Sequence, residues 1–227
     1  MTIAVDRQEY YSSTDAPTHD IAFPLGAPPN GDLIIYIVDA GAGITTPGDL
    51  TRLSTATAIN NTDFGIFVKI ASGESASRTF TVGGTTSCAM HTFRIANPVS
   101  ATPDKELAAI NGSATTQTAG TTGTLSQSLE VALVCFALQG SGGPVVNSYD
   151  GGFAQEFQGI TAGSVPWRLA TASLLTSSTA GVGCTATLAS TGSCSCLLAT
   201  FSLTGSIIQV KPTNLTSQTF TSMNMRR

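Results

Sequence analysis

Apolar residues along this chain recur at every second position or in short runs, the two patterns of strands half-buried or fully buried in a sheet. Residues 33–38 are an unbroken apolar run opened by Asn30-Gly31, and residues 64–70 are a second run closed by the turn residues 72–75. Residues 78–82 alternate, with a turn signal at Gly83-Gly84 ahead of the apolar stretch 88–95. Stretches 129–138, 167–175, 185–188, 194–203 and 207–210 complete the predicted strands. Helix is predicted in one place, residues 103–110, where Thr102 can cap a first turn begun by Pro103.

The longest stretch without a charged side chain runs from Leu169 to Val210, 42 residues in which Ser, Thr and Gly interrupt the apolar positions. Such a stretch stays soluble when its backbone is paired in a sheet and one face is buried. Residues 78–88, closing on 92–95, are echoed by residues 184–194, closing on 200–203. Upstream of each lies an apolar run, 33–38 and 129–138. Two halves of about four strands would then pair into one sandwich, with the polar stretch 111–128 crossing between them. Compositional likeness among Thr-rich strands accounts for the same letters. The expected fold is all-β: an antiparallel β-sandwich, jelly-roll-like, of about eight strands with extended terminal arms. Its domains are an N-terminal arm (1–20, with Tyr10, Tyr11 and Pro17), a single sandwich (21–210) and a C-terminal tail (211–227, with Leu215, Phe220 and Met223). As arms, the two ends would add a strand to a neighbouring subunit or anchor on it.

Charged residues make up 11% of the chain against a typical quarter, which suits a protein that works in an assembly. Net charge is −4 and the pI about 5.0, with Arg226-Arg227 the one basic cluster, so nucleic acid is not an expected partner. A mean hydropathy of +0.20 argues against disorder. The first twenty residues lack the basic and apolar regions of a signal peptide. No apolar run reaches the roughly 20 residues that span a bilayer, so a membrane is not expected either. Five cysteines (Cys88, Cys135, Cys184, Cys194, Cys196) sit in apolar stretches and read as reduced, buried thiols made in a cytoplasm.

Residues 140–144, Gly-Ser-Gly-Gly-Pro, resemble the nucleophile loop of chymotrypsin-type serine proteases, and His91 and Asp104 precede Ser141 in the matching order. The likeness ends there. Gly140 stands where that family has an acidic residue, His91 lacks the Ala-His-Cys context, and some fifty residues are too few for the intervening barrel. A glycine-rich turn after a buried strand explains the same letters. Cys194 and Cys196 share one strand face, and Cys184, read as lying across a hairpin, outlines a three-thiolate site for a soft metal. Structural zinc takes four ligands, and buried thiols serve more often as core. The carboxylates fall at strand ends and turns, where Asp belongs; no pair is spaced for glycoside hydrolysis, and residues 147–150 lack an EF-hand ligand ladder. Trp167 reads as a core residue with its indole N–H at an exposed edge. His19 and His91 stand alone in sequence, and Gly41-Ala42-Gly43 opens no helix to cradle a phosphate. No catalytic, cofactor-binding or metal-ligating residue is therefore assigned, and no cofactor.

Three segments carry a family likeness. Gly31-Asp32-Leu33 opens an apolar strand, Thr45-Thr46-Pro47-Gly48 precedes Leu50-Thr51-Arg52-Leu53-Ser54, and residues 67–74 lead to Thr79-Phe80-Thr81-Val82. Together they resemble small β-sandwich virion proteins of tailed bacteriophages, over roughly residues 28–203. Asp49 stands where such sequences often carry Trp. The resemblance implies a structural, non-enzymatic protein assembled into virions in a bacterial cytoplasm. The expected role is a capsid decoration or cement protein, a trimer on the major capsid protein. The alternative is a tail or baseplate component that binds a host receptor or glycan.

Overall fold

A computed structural model describes residues 5–11, 14–23, 26–53, 63–140, 142–161 and 167–204. Among them there is no helix, and every ladder is antiparallel. The first half supplies β1 (Val5–Tyr11), β2 (Ala16–Ala22), β3 (Leu33–Ala40), β4 (Ile44–Thr45), β5 (Thr51–Arg52), β6 (Asp63–Ile70), β7 (Ser77–Thr86) and β8 (Cys88–Ile95). The second half supplies β9 (Lys105–Thr121), β10 (Glu130–Gln139), β11 (Val146–Tyr149), β12 (Ala154–Ile160), β13 (Arg168–Thr176) and β14 (Gly183–Ser202).

The two halves repeat one pattern of pairing. In the first, an inner sheet runs β1-β8-β3-β6-β5 and a small outer sheet runs β2-β7-β4. In the second, β10 lies between β14 and β13 as β3 lies between β8 and β6, and β12 flanks β13 as β5 flanks β6. One long strand, β14, does the work of both β7 and β8. Its residues 194–200 pair with the start of β9, as β8 pairs with β1; its residues 183–187 pair with the end of β9, as β7 pairs with β2. The outermost register agrees as well, Ile44 facing Val82 in one half and Val146 facing Leu188 in the other. The sequence echo is therefore a structural duplication. Each half carries an inner and an outer layer, which is why fourteen strands are found among the described residues where about eight were expected.

Strand periodicity divides the core into three. Leu33, Ile35 and Ile37 of β3 join Val131, Leu133 and Cys135 of β10 in one buried cluster between the two inner sheets. The alternate residues Ile34, Tyr36 and Val38 pack under the first outer layer, and Ala132, Val134 and Phe136 under the second. Both central strands are buried on both faces, as their unbroken apolar runs imply. Across the shared core β8 meets β13, and in the reciprocal contact β14 meets β6. Reciprocal contact of this kind is the mark of an isologous, two-fold packing. The halves pack as a symmetric dimer would, within one chain.

Four expectations are corrected. The predicted helix is the start of β9, because residues 105–110 find β14 partners from Thr200 to Ser195, and pairing outweighs the weak local preference. Much of the supposed polar link, 111–121, is the rest of that strand, and the halves are joined through residues 96–104 instead. Residues 5–11 and 16–20, which fall within the expected arm 1–20, are paired to β8 and β7 of the same chain. Gly83-Gly84 makes no hairpin turn: β7 continues through it, and Ser87 alone separates it from β8 as the chain passes from outer to inner layer. The predicted strand at 207–210 and the tail 211–227 lie outside the described residues.

Candidate functional site

The outer layers present rows of hydroxyls to solvent. In the first half Thr18 and Thr45 flank Thr81; in the second Thr116 and Ser148 flank Thr187, and all six are exposed. The rows match but their surroundings differ. Beside the first lies an ionic network in which Asp49 accepts from Arg78 and from Lys69 (2.8 Å), Lys69 also meets Glu74 (2.5 Å), and Thr79 donates to Asp20. The Arg78 guanidinium holds the Asp49 carboxyl well below the usual carboxylate range. The second outer layer, built from residues 114–121, 146–149 and 183–190, has no charged side chain. At its margin Asp150 accepts the Thr185 backbone N–H (2.5 Å).

The shared core holds polar groups that link the halves. His91, wholly buried on β8, shares hydrogen bonds with the Tyr11 hydroxyl through Nε2 (2.6 Å) and with the Thr171 hydroxyl of the second half through Nδ1 (3.1 Å). Burial lowers the His91 pKa to about 3, so the ring is neutral. The Tyr11 ring stands edge-on to it and lies over Gly159, where a Cβ would collide with the ring. Arg7 of β1 and Glu156 of β12 form an ion pair across the same seam.

Asp39 is the exception in this core. It is 1% exposed, its Oδ1 has no hydrogen-bond partner among the described residues, and burial, helped by Asp63, raises its pKa well above the usual value. Leu33 faces Ile95 and Leu129 bonds Leu203, so Asp39 and Cys135, each six positions on, are matching residues of the two halves. Across the shared core Asp39 acts electrostatically on the Cys135 thiol.

A second buried polar group fills the corner where β9 and β14 bend from inner to outer layer. The register slips there between Thr187 and Gly192 and again before Cys194. Gln117, fully buried, donates to the carbonyls of Gly112 (3.1 Å), Ala114 (3.3 Å) and Gly192, bracing the bend. Its Oε1 accepts from the Cys194 thiol (3.2 Å). The Asn111 amide donates to both sulfurs, 3.6 Å from Cys194 Sγ and 3.5 Å from Cys196 Sγ. The proximity of Cys196, seconded by Asn111, lowers the Cys194 pKa against the effect of burial, while Cys194 and burial raise that of Cys196.

The sequence-derived candidates are dispersed. His91 bonds Tyr11 and Thr171, whereas Asp104 bonds Ser126 and Lys105, and Ser141 lies outside the described residues. The glycines around it make a tight turn, with Gly142 and Gly143 at φ 72° and 59° and the Gly143 N–H on the Gly140 carbonyl (3.1 Å). Cys184 shares the second core with Cys194 and Cys196 but sits further along the same strand, not across a hairpin. Among the described residues no three His, Cys, Asp or Glu side chains are grouped to hold a metal. Trp167 is core, but its indole N–H is buried without a partner among the described residues and does not reach an exposed edge. His19 does have partners, the Thr86 carbonyl (2.9 Å) and the Tyr10 hydroxyl (3.2 Å). Asp39, Asn111 and Gln117 were not singled out from sequence; strand parity placed Asp39 on the core side, and no local signal marked the amides.

No known protein family, curated protein or solved structure matches the chain.

Proposed function

We propose that this chain is a structural protein of a bacteriophage virion, a decoration or cement protein that docks as a trimer on the major capsid protein and stabilises the head. The family likeness of residues 28–203 suggests the setting. The observation that carries the reading is the charge-free outer layer of the second half, set against its matching layer in the first, which is ringed by ions. A regular hydroxyl-bearing sheet without charge can be covered by a neighbour without desolvating an ion, which costs several kcal/mol per uncompensated group. Many modest hydrogen bonds and apolar contacts, repeated over a capsid, then resist internal pressure together.

The test is reconstitution of purified protein onto capsids that lack it. Thr116→Lys and Thr187→Lys place charge in the centre of the proposed face and should reduce occupancy at least tenfold with the melting temperature unchanged. Thr81→Lys, at the matching place in the first half, should bind as wild type. Equal occupancy for all three overturns the docking face, and absence of the protein from purified particles overturns the virion role. Copy number tests the location: hundreds per particle support the head, and a handful overturns the head assignment in favour of a tail.

A further inference from the structure

We propose that Glu130 and Asp104 share a single proton and act as a pH-operated clasp, closing the connection between β9 and β10 (residues 122–129) onto the second half. Both carboxyls converge on one turn of that connection. Asp104 accepts the Ser126 N–H (2.8 Å) and the Ser126 hydroxyl. Glu130 Oε1 accepts the next N–H, that of Gln127 (3.3 Å), and the Ser202 hydroxyl (3.3 Å). Glu130 is wholly buried at the start of β10, and its Oε2 has no hydrogen-bond partner among the described residues. A buried carboxylate oxygen without a donor is costly. The same oxygen carrying a proton is itself a donor, and the neighbouring Asp104 carboxylate is an acceptor.

The duplication shows that the fold does not require this pair. Leu33 faces Ile95 as Leu129 bonds Leu203, so Ile34 matches Glu130 and Arg94 matches Ser202. In the first half Ile34 faces Arg94, which bonds Asp32 instead. The clasp is thus particular to the second half.

The two carboxyls respond to their surroundings in opposite directions. Burial, helped by the Asp104 charge, raises the Glu130 pKa. Against the effect of burial, Ser126, Lys105 and Glu130 lower that of Asp104. Opposite shifts in adjacent acids are those of one proton held between two sites. The other charged groups nearby come from β9 and β5: Lys105 Nζ lies 3.6 Å from Asp104 Oδ2, and Glu106 and Arg52 line a surface cleft with Asp104. From β14 and β13 the positions facing Glu130 are Ser202 and Thr176, and residues 122–129 carry no charge.

Glu130 therefore contributes stability fully below its unfolded pKa near 4.5 and loses it as pH rises through the higher folded value. Asp104 contributes above 3.8 and loses its share as pH falls. The clasp is closed while one proton is shared, and it opens on the alkaline side, where two adjacent negative charges oppose each other. Opening releases Ser126 and Gln127 beside the stretch that hangs from the Val182 and Thr179 carbonyls, at the foot of the second outer layer.

The experiment is a carbon-13 NMR titration of the side-chain carboxyls in the folded full chain. Amide exchange at Ser126 and Gln127 is followed over the same pH range and corrected for intrinsic rates. Glu130 should lose its proton well above pH 4.5, and protection of both amides should fall in the same step. Asp104→Asn should lower the Glu130 midpoint by about one pH unit or more. Glu130→Gln, whose amide donates to Asp104 without titrating, should keep both amides protected throughout. A Glu130 midpoint at or below 4.5, or one unmoved in Asp104→Asn, overturns the shared proton. Protection that falls alike in wild type and Glu130→Gln overturns the clasp. Should either variant fail to fold, the wild-type titration alone can overturn the proposal. Every readout is made on protein free of capsids, so failure here would leave the proposed docking role untouched.

Discussion

At the scale of single residues, two titratable groups in the shared core pull stability in opposite directions. The Asp39 pKa is raised in the folded state, so its carboxyl contributes fully below the unfolded value near 3.8 and the contribution is lost as pH rises. Asp39→Asn keeps the shape and removes the charge. At pH 8 it should melt a few degrees above wild type, with the gap closing below pH 4 in thermal unfolding followed by circular dichroism. A lower melting temperature at pH 8 would show that the carboxylate is satisfied as an ion. His91 behaves conversely. Its folded pKa of about 3 lies below the usual 6.5, so its contribution is complete above pH 6.5 and falls as pH drops toward 3. The loss can reach about 1.4 kcal/mol per pH unit. His91→Gln, which cannot titrate, should flatten the slope of urea-unfolding free energy between pH 6.5 and 4; an unchanged slope would assign the acid sensitivity to other groups. The chain carried part of this in plain sight. Asp39 has the same strand parity as Leu33, Ile35 and Ile37, so its facing was legible, but its depth came from the other half and was not.

At the scale of elements, sequence pattern succeeded where a strand is apolar on both faces and failed where pairing alone makes the strand. β3 and β10 were legible because nothing but a doubly covered strand tolerates such runs. The start of β9 was not, since a Thr-Pro opening followed by Glu, Leu and Ala satisfies helix preferences until β14 supplies partners. The corner in β14 defeated hairpin reasoning for a related reason. Thr-Gly-Ser between two apolar stretches is turn chemistry, but β9 bends alongside and Gln117 holds three carbonyls at the bend, so one strand passes through. Local letters cannot show a brace that comes from 75 residues away. The outer strands tell the same story: the leading N–H of β4 is taken by Asp63 Oδ2 (2.6 Å) and that of β11 by Gln158 Oε1 (2.9 Å). Side chains so placed close a sheet edge to further pairing, leaving faces, rather than edges, as the natural contact surface of the outer layers.

At the scale of the whole molecule, the duplicated halves and their reciprocal contacts mean that the chain holds its own dimer interface. The shared cluster comprises 20 buried residues drawn from both halves. Separating them would expose side chains worth roughly 1.5–3 kcal/mol each, against about 4–15 kcal/mol gained from independent motion of two bodies. The burial term is larger even after allowance for incomplete exposure. The link between the halves is itself fastened to the second half, through Val99 N–H on the Ser202 carbonyl (2.9 Å) and Asp104 N–H on the Thr200 carbonyl (2.8 Å). Covalent continuity through the link therefore adds little once the protein has folded. A protease site inserted between Ser100 and Ala101, cut after folding, should leave two fragments that elute together at the size of the intact chain and separate only in denaturant. Elution as two smaller species would mean that the reciprocal contacts are too weak to act as an interface. Co-elution combined with a fall in melting temperature that depends on protein concentration would give the signature of a dimer whose subunits happen to be encoded in tandem.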